Sequence, residues 1–104
     1  MQQKQESAAM GWDAVVIHPE DSVAVAVRDL DSVAHVLQGA SVHTLPLLQP
    51  VPMGHKFALR DWPAGHEVRK YGEVIGTATS ALAQGEHVHV HNLASRRATA
   101  SRPK

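Results

Sequence analysis

No cysteine occurs among the 104 residues, which excludes disulfide staples, thiolate chemistry and cysteine-based zinc sites. Aromatic residues make up only 4%, so an apolar interior has to be built from Val, Ala, Leu and Ile. Neither sign of charge is in excess. Ten Lys and Arg balance ten Asp and Glu, which excludes a strongly electropositive nucleic-acid binder as the default. No apolar run approaches the ~18 residues of a membrane span. The polar opening Gln2, Gln3, Lys4, Gln5, Glu6 lacks the apolar region of a signal peptide. The expectation is a cytoplasmic protein that contacts neither nucleic acid nor membrane. The length allows one small domain and no second core. What the chain does have is 43% apolar residues and eight histidines.

Residues 1–12 are polar and without periodicity, and are expected to form a flexible arm. Residues 94–104 carry four basic side chains and no acidic one, and read as a basic tail. Residues 13–93 are left for the folded domain, and no internal repeat is visible in them. Their pattern is mainly β. Ala14 to His18 is β-branched and stops at Pro19. Ser22 to Val27 alternates Val with Ala, a period of two that predicts a strand covered on both faces. Asp31 is placed to cap a short helical turn through Leu37, ended by Gly39. Ser41 to Leu48 reads as one or two short strands, confined to edges by Pro46, Pro50 and Pro52. Strands are also expected at His55–Arg60, Glu67–Tyr71, Val74–Gly76 and His87–His91, with a helical turn at Thr79–Ala83. Many short strands with frequent Gly and Pro predict a compact barrel-like or folded-ribbon domain with one or two helical turns. A core this small rarely supplies more than ~3–5 kcal/mol, so subunit association is expected as well.

The segment Gly85-Glu86-His87-Val88-His89-Val90-His91-Asn92 is the most informative. On a strand, His87, His89 and His91 share one face and Val88 and Val90 the other. The valines are expected in the core and the histidines along a surface or cleft. Residues two apart on a strand have Cα atoms roughly 6.5–7 Å apart, close enough for two imidazoles to reach one divalent ion, and imidazole suits zinc, iron and nickel. Glu86, His18 or His55 is available as a third ligand. A polar strand face that merely hydrogen-bonds to its neighbours is the alternative. His55 and Lys56 cannot share a strand face, so one of them turns to the core or to an edge. Lys70 is suited to hold a carboxylate as a point charge. The other reading of Lys70 is a solvated lysine beside a core tyrosine. His35, His43 and His66 are read as exposed.

The ordered set Gly54-His55-Lys56-Phe57-Ala58-Leu59, Pro63-Ala64-Gly65, Lys70-Tyr71-Gly72, Ile75-Gly76 and Gly85 to Asn92 resembles the N-terminal SAF-type domain of the altronate/galactarate dehydratase family. Ile17-His18-Pro19 and Asp21 to Ala26 also fit, and only Arg69 departs, standing where an apolar residue is expected. The resemblance covers roughly residues 14 to 93. It implies a small β-clip-like SAF fold working beside a much larger catalytic domain, fused or separately encoded. It further implies dehydration of a sugar acid or related hydroxy acid to a 2-keto-3-deoxy product with a divalent iron- or manganese-type metal, held mostly by the large partner. Sulfolactate dehydratase has a similar small subunit.

On this basis the chain is expected to be a small hydro-lyase subunit, inactive without its large catalytic subunit. His55, Lys70, His87 and His89 are the candidate catalytic residues, with acid and base roles open. Lys56, Tyr71, His91 and Asn92 are candidates for binding the hydroxy acid. His18, His87 and His89 are candidate metal ligands. The alternatives are a non-catalytic SAF-type module that binds a sugar acid or a protein partner, and an independent metal protein built on the histidine strand.

Overall fold

The structure is a computed structural model that describes residues 11–95. The rest of the arm and the basic tail from residue 96 onward therefore lie outside the described residues. Within them the chain forms β1 (Ala14–Val16), β2 (Val23–Ala26), β3 (Val33–Gln38), β4 (Ser41–Pro46), β5 (Lys56–Ala58), β6 (Glu67–Lys70), β7 (Glu73–Ala78), β8 (His87–Val88) and β9 (Leu93–Ser95). One sheet has the order β4-β3-β1-β2-β5-β8 and a second has β6-β7-β9. Among the described residues only β1 and β3 pair in parallel. The domain is mainly β, as the alternating Val and Ala pattern predicts. β9 carries the chain through Ser95, two residues beyond the boundary drawn at Leu93.

Strand alternation splits the apolar interior in two, where the length had argued for a single core. On β2, Ala24 and Ala26 join Val36, Leu45, Val51 and Phe57 in one cluster. Val23 points the other way, into a cluster with Ala58, Val68, Ala78, Leu82 and Val88. A two-residue period permits this only when both faces of the sheet are covered. The small alanines let the covering loop, with Leu47 and Val51, approach closely.

Neither helical turn forms. Val33–Gln38 is a strand whose Ala34 and Val36 are fully buried. Pairing on both sides, to β1 and β4, overrides the weak capping signal of Asp31. At Thr79–Ala83 the buried Leu82 instead exchanges both backbone hydrogen bonds with Trp62, at 2.8 and 2.9 Å. β4 lies at the sheet edge and ends at Pro46, where the missing N–H costs no ladder bond.

A short repeat does organise the chain, contrary to the sequence reading. The pattern apolar-x-x-Gly-x-x-apolar recurs at Val51–Phe57, Trp62–Val68 and Leu82–Val88. In each copy the residue after the glycine donates its N–H three residues back, from His55 to Pro52, His66 to Pro63 and Glu86 to Ala83. Gly54, Gly65 and Gly85 have φ of 84°, 90° and 84°. The bond and the positive φ at the third position mark a type II turn, which calls for glycine there. Each glycine N–H then donates at 2.8 Å to an alanine carbonyl, of Ala26, Ala78 and Ala58 respectively. The three turns thus launch β5, β6 and β8 against neighbouring strands and bury Phe57, Val68 and Val88 completely.

Candidate functional site

β5 and β8 are antiparallel neighbours, with Lys56 opposite Val88 and Phe57 opposite His87. One further step in that register sets His55 opposite His89. The type II turn at Gly54 delivers His55 to this position, and its carbonyl accepts the Ala26 N–H at 2.9 Å. Three imidazoles therefore meet at one end of the strand pair. His55 Nδ1 and His87 Nε2 are hydrogen-bonded at 2.8 Å. The His89 ring stacks on His55, with centroids 4.2 Å apart and planes 18° apart. One nitrogen from each ring lies within 4.8 Å of the other two. All three rings are half-buried.

The last strand is shorter than its sequence suggests. Pairing stops at Val88, and His89 to Asn92 form a turn. Asn92 causes it. Its Oδ1 accepts the His89 N–H at 2.9 Å, and its Nδ2 donates to the His87 carbonyl at 3.0 Å. Its own N–H donates to the His89 carbonyl at 3.1 Å. Val90 consequently points outward, 82% exposed, rather than into the core. Asn92 is 2% exposed and its amide is spent on these bonds, so it shapes the site rather than meeting a substrate. Glu86 is also occupied. Its Oε1 accepts the Ala83 N–H at 2.9 Å and its Oε2 faces Asn92 Nδ2 at 3.4 Å. It supplies no third ligand.

His18 does not join the cluster. Its Nδ1 accepts the Glu20 N–H at 3.1 Å, and its ring lies against Gly72, where a Cβ would come within 2.9 Å of it. His55 takes the place assigned to His18. The first strand ends at Val16, short of the expected His18, and the tight 18–21 turn that contains Pro19, with the Asp21 N–H on the His18 carbonyl, holds His18 beside the β6–β7 hairpin. His91 is at the rim, exposed and tilted, 5.6 Å from His87 between centroids.

Lys56 projects from the opposite face of β5 to His55, as strand alternation requires. Burial, and secondarily the Lys70 ammonium, lower its pKa. Its charge also reaches the cluster. The His87 pKa is lowered first by burial, then by His55, His89, His91 and Lys56. The His89 pKa is lowered first by burial, then by His55, Lys56 and His91. Neutral imidazoles with available lone pairs are the result. Lys70 ends β6 with its Nζ 5.0 Å from the Tyr71 ring centre. Tyr71 is half-exposed, not a core residue, and has φ of 56°. With Gly72 at 81° it forms the two-residue turn between Lys70 and Glu73, the pattern of a type I′ hairpin. The Gly72 N–H donates to Asp21 Oδ1 at 2.8 Å and fixes this hairpin to the first loop.

Of the remaining histidines only His43 is exposed. His35 is half-buried, bonded to Asp13 at 3.2 Å. His66 stacks on Trp62 at 4.0 Å and meets the buried Ser22 hydroxyl at 3.0 Å. Gln49 is a further residue of the site, one that the sequence does not mark. Its Oε1 accepts the His87 N–H at 2.6 Å and holds the cluster from the loop side. A lone glutamine between Leu48 and Pro50 carries no sequence signal for this. Among the described residues no helix is long and apolar enough to cross a membrane.

Comparison with known proteins agrees with the order of these motifs. Residues 12–96 match the family described as the altronate/galactarate dehydratase SAF domain. Altronate dehydratase of Escherichia coli (strain K12) is 46% identical over 78 residues, which are 75% of this chain and 15% of that protein. Galactarate dehydratase (L-threo-forming) of the same organism is 38% identical over 76 residues, 71% of this chain and 14% of that one. The (2R)-sulfolactate sulfo-lyase subunit alpha of Chromohalobacter salexigens is 37% identical over 93 residues, 85% of this chain and 99% of the relative. The chain thus spans about a seventh of the two dehydratases and nearly all of the sulfo-lyase subunit.

Proposed function

The chain belongs to the altronate/galactarate dehydratase SAF-domain family, a family of lyases, and from that premise we propose that it is the small subunit of a cytoplasmic hydro-lyase. It acts with a separate large catalytic subunit and has little activity alone. The substrate is a sugar acid or a related hydroxy acid of the altronate, galactarate or sulfolactate type, and the product is a 2-keto-3-deoxy acid, formed with loss of water from a sugar acid or of sulfite from a sulfolactate-type acid. The two-chain arrangement is supported by the 99% coverage of a relative that is itself named a subunit.

The observation that carries the reading is the meeting of His55, His87 and His89 at one strand end, with Lys56 close enough to bias charge there and Lys70 close enough to bias Lys56. Removing a proton alpha to a carboxylate builds a second negative charge, and nearby cations stabilise it. Lys56 and Lys70 hold the carboxylate. The neutral imidazoles accept the alpha proton or hand one to the departing hydroxyl, a task suited to histidine near neutral pH. A divalent ion, where the assembled enzyme carries one, adds Lewis-acid stabilisation of the developing enolate. The large subunit supplies the rest of the cleft and selects the hydroxy acid.

Co-expression with a large subunit of the family tests this. A stable complex that dehydrates altronate or galactarate, or releases sulfite from sulfolactate, and loses turnover in His87→Ala or His89→Ala without loss of assembly, is the expected result. A complex that forms but turns over normally in both variants leaves a non-catalytic module instead.

A further inference from the structure

We infer that His55, His87 and His89 form a metal site carried wholly by this chain, one that takes a divalent ion with a preference for imidazole, of the iron(II), cobalt, nickel or zinc kind, and leaves coordination positions open. The nitrogens already lie within 4.8 Å of one another. Ligand nitrogens about 2.0–2.1 Å from one tetrahedral ion sit about 3.3 Å apart. The His55–His87 pair is at 2.8 Å, inside that spacing. In the metal-free chain a shared proton bridges the two nitrogens, and the ion takes its place. His89 leaves its stack on His55 by a side-chain rotation that turns its nitrogen toward the pair.

The donor set decides which ions bind. It contains three imidazole nitrogens and no oxygen. Glu86 is tied to Ala83 and Asn92, so no carboxylate joins the set. Magnesium and calcium require oxygen ligands, and manganese favours them. Imidazole-preferring ions do not. Three protein ligands are also the number that catalytic rather than structural sites supply, with the remaining positions open to water or substrate. Outer contacts hold the frame: Gln49 on the His87 N–H and Asn92 on the His89 N–H. With an ion bound the three imidazoles are ligands and no longer free bases, so their part in turnover would then be to hold a Lewis acid in place of moving protons. The site itself stands whether or not the chain serves a hydro-lyase, because binding needs no turnover and no partner.

The test uses the full chain, stripped of metal by chelation and titrated with Co²⁺ while visible absorption is followed. One Co²⁺ per chain is expected, displaced by Zn²⁺ and left in place by excess Mg²⁺ or Ca²⁺. His55→Ala, His87→Ala and His89→Ala each weaken binding by more than about 100-fold, beyond the 10–100-fold typical of losing an outer partner. His18→Ala and His43→Ala leave it unchanged. A second measurement needs no variant: Zn²⁺ added to ¹⁵N-labelled wild-type chain shifts the ring nitrogens of His55, His87 and His89 together. Absence of stoichiometric binding, binding that survives the His87/His89 double variant, or Zn²⁺ shifts centred on His18, His35 or His43 would overturn the site.

Discussion

His89 and Asn92 hold each other by two hydrogen bonds. The His89 N–H donates to Asn92 Oδ1 at 2.9 Å, and the Asn92 N–H donates back to the His89 carbonyl at 3.1 Å. This small closure ends β8 after Val88 and turns His89 back over His55. Asn92→Ala removes a buried amide and strands the groups it served, at a cost of about 1–3 kcal/mol. Urea denaturation of the variant should show that loss. Asn92→Asp keeps the acceptor for His89 but sets a buried carboxylate oxygen against the His87 carbonyl and the Glu86 carboxylate, so its loss should be at least as large. Unchanged stability in Asn92→Ala would remove the structural role assigned to this residue.

The lowered pKa values of His87 and His89 make stability depend on pH. Both rings bind a proton less readily in the folded chain than in the unfolded one. Their contribution is fully present above the ordinary histidine value near 6.5 and is lost as pH falls through the lowered folded values. Thermal melts from pH 8 downward should therefore be flat at first and then fall on the acid side of about 6.5. The His87→Ala/His89→Ala chain should show a shallower fall. An identical pH profile in that variant would mean that other groups govern the acid side.

Lys70 depresses the Lys56 pKa, second to burial. Replacing Lys70 with Gln should raise the Lys56 pKa toward its ordinary value, read by NMR titration of the Lys56 side chain. In the assembled enzyme, Lys56→Gln and Lys70→Gln should each raise KM for the hydroxy acid about tenfold or more, the size of one lost charged hydrogen bond. An unaltered KM in both would mean that the lysines do not hold the carboxylate.

Gly85 and Gly54 occupy the same turn position with the same φ of 84°, but their surroundings differ. A Cβ at Gly85 would collide with the Pro46 carbonyl oxygen, whereas one at Gly54 meets nothing within 4 Å. Gly54→Ala should cost the backbone strain alone, about 1–3 kcal/mol. Gly85→Ala should cost clearly more in the same denaturation assay, since β4 would have to move. Equal losses would show that the Pro46–Leu47 segment yields freely.

The sequence made some of this legible and hid the rest for identifiable reasons. Alternating Val and Ala at 23–26 announced a strand buried on both faces, and a two-residue period is hard to mistake. His87 and His89 announced a cluster, and the motif order announced the family. His55 was named among three possible third partners, because cross-strand register is a tertiary property. The helical turn at Asp31 rested on a cap signal that strand pairing outweighed. His89 to His91 read as strand because Asn92 acts through its side chain on backbone groups three and five residues earlier, which no period reveals. The thrice-used glycine turn leaves little trace in the sequence because only its glycine and two apolar positions recur.

The most direct measurement is turnover by the purified two-subunit enzyme with His89→Ala in this chain. His89 contributes to the cluster only through its ring, and the turn that positions it is held by backbone bonds the substitution leaves in place. The expected result is an intact complex whose kcat for the hydroxy acid falls by about 100-fold or more, the scale of a lost acid–base group. A complex that keeps full kcat and KM would contradict the claim that these three imidazoles work as one site.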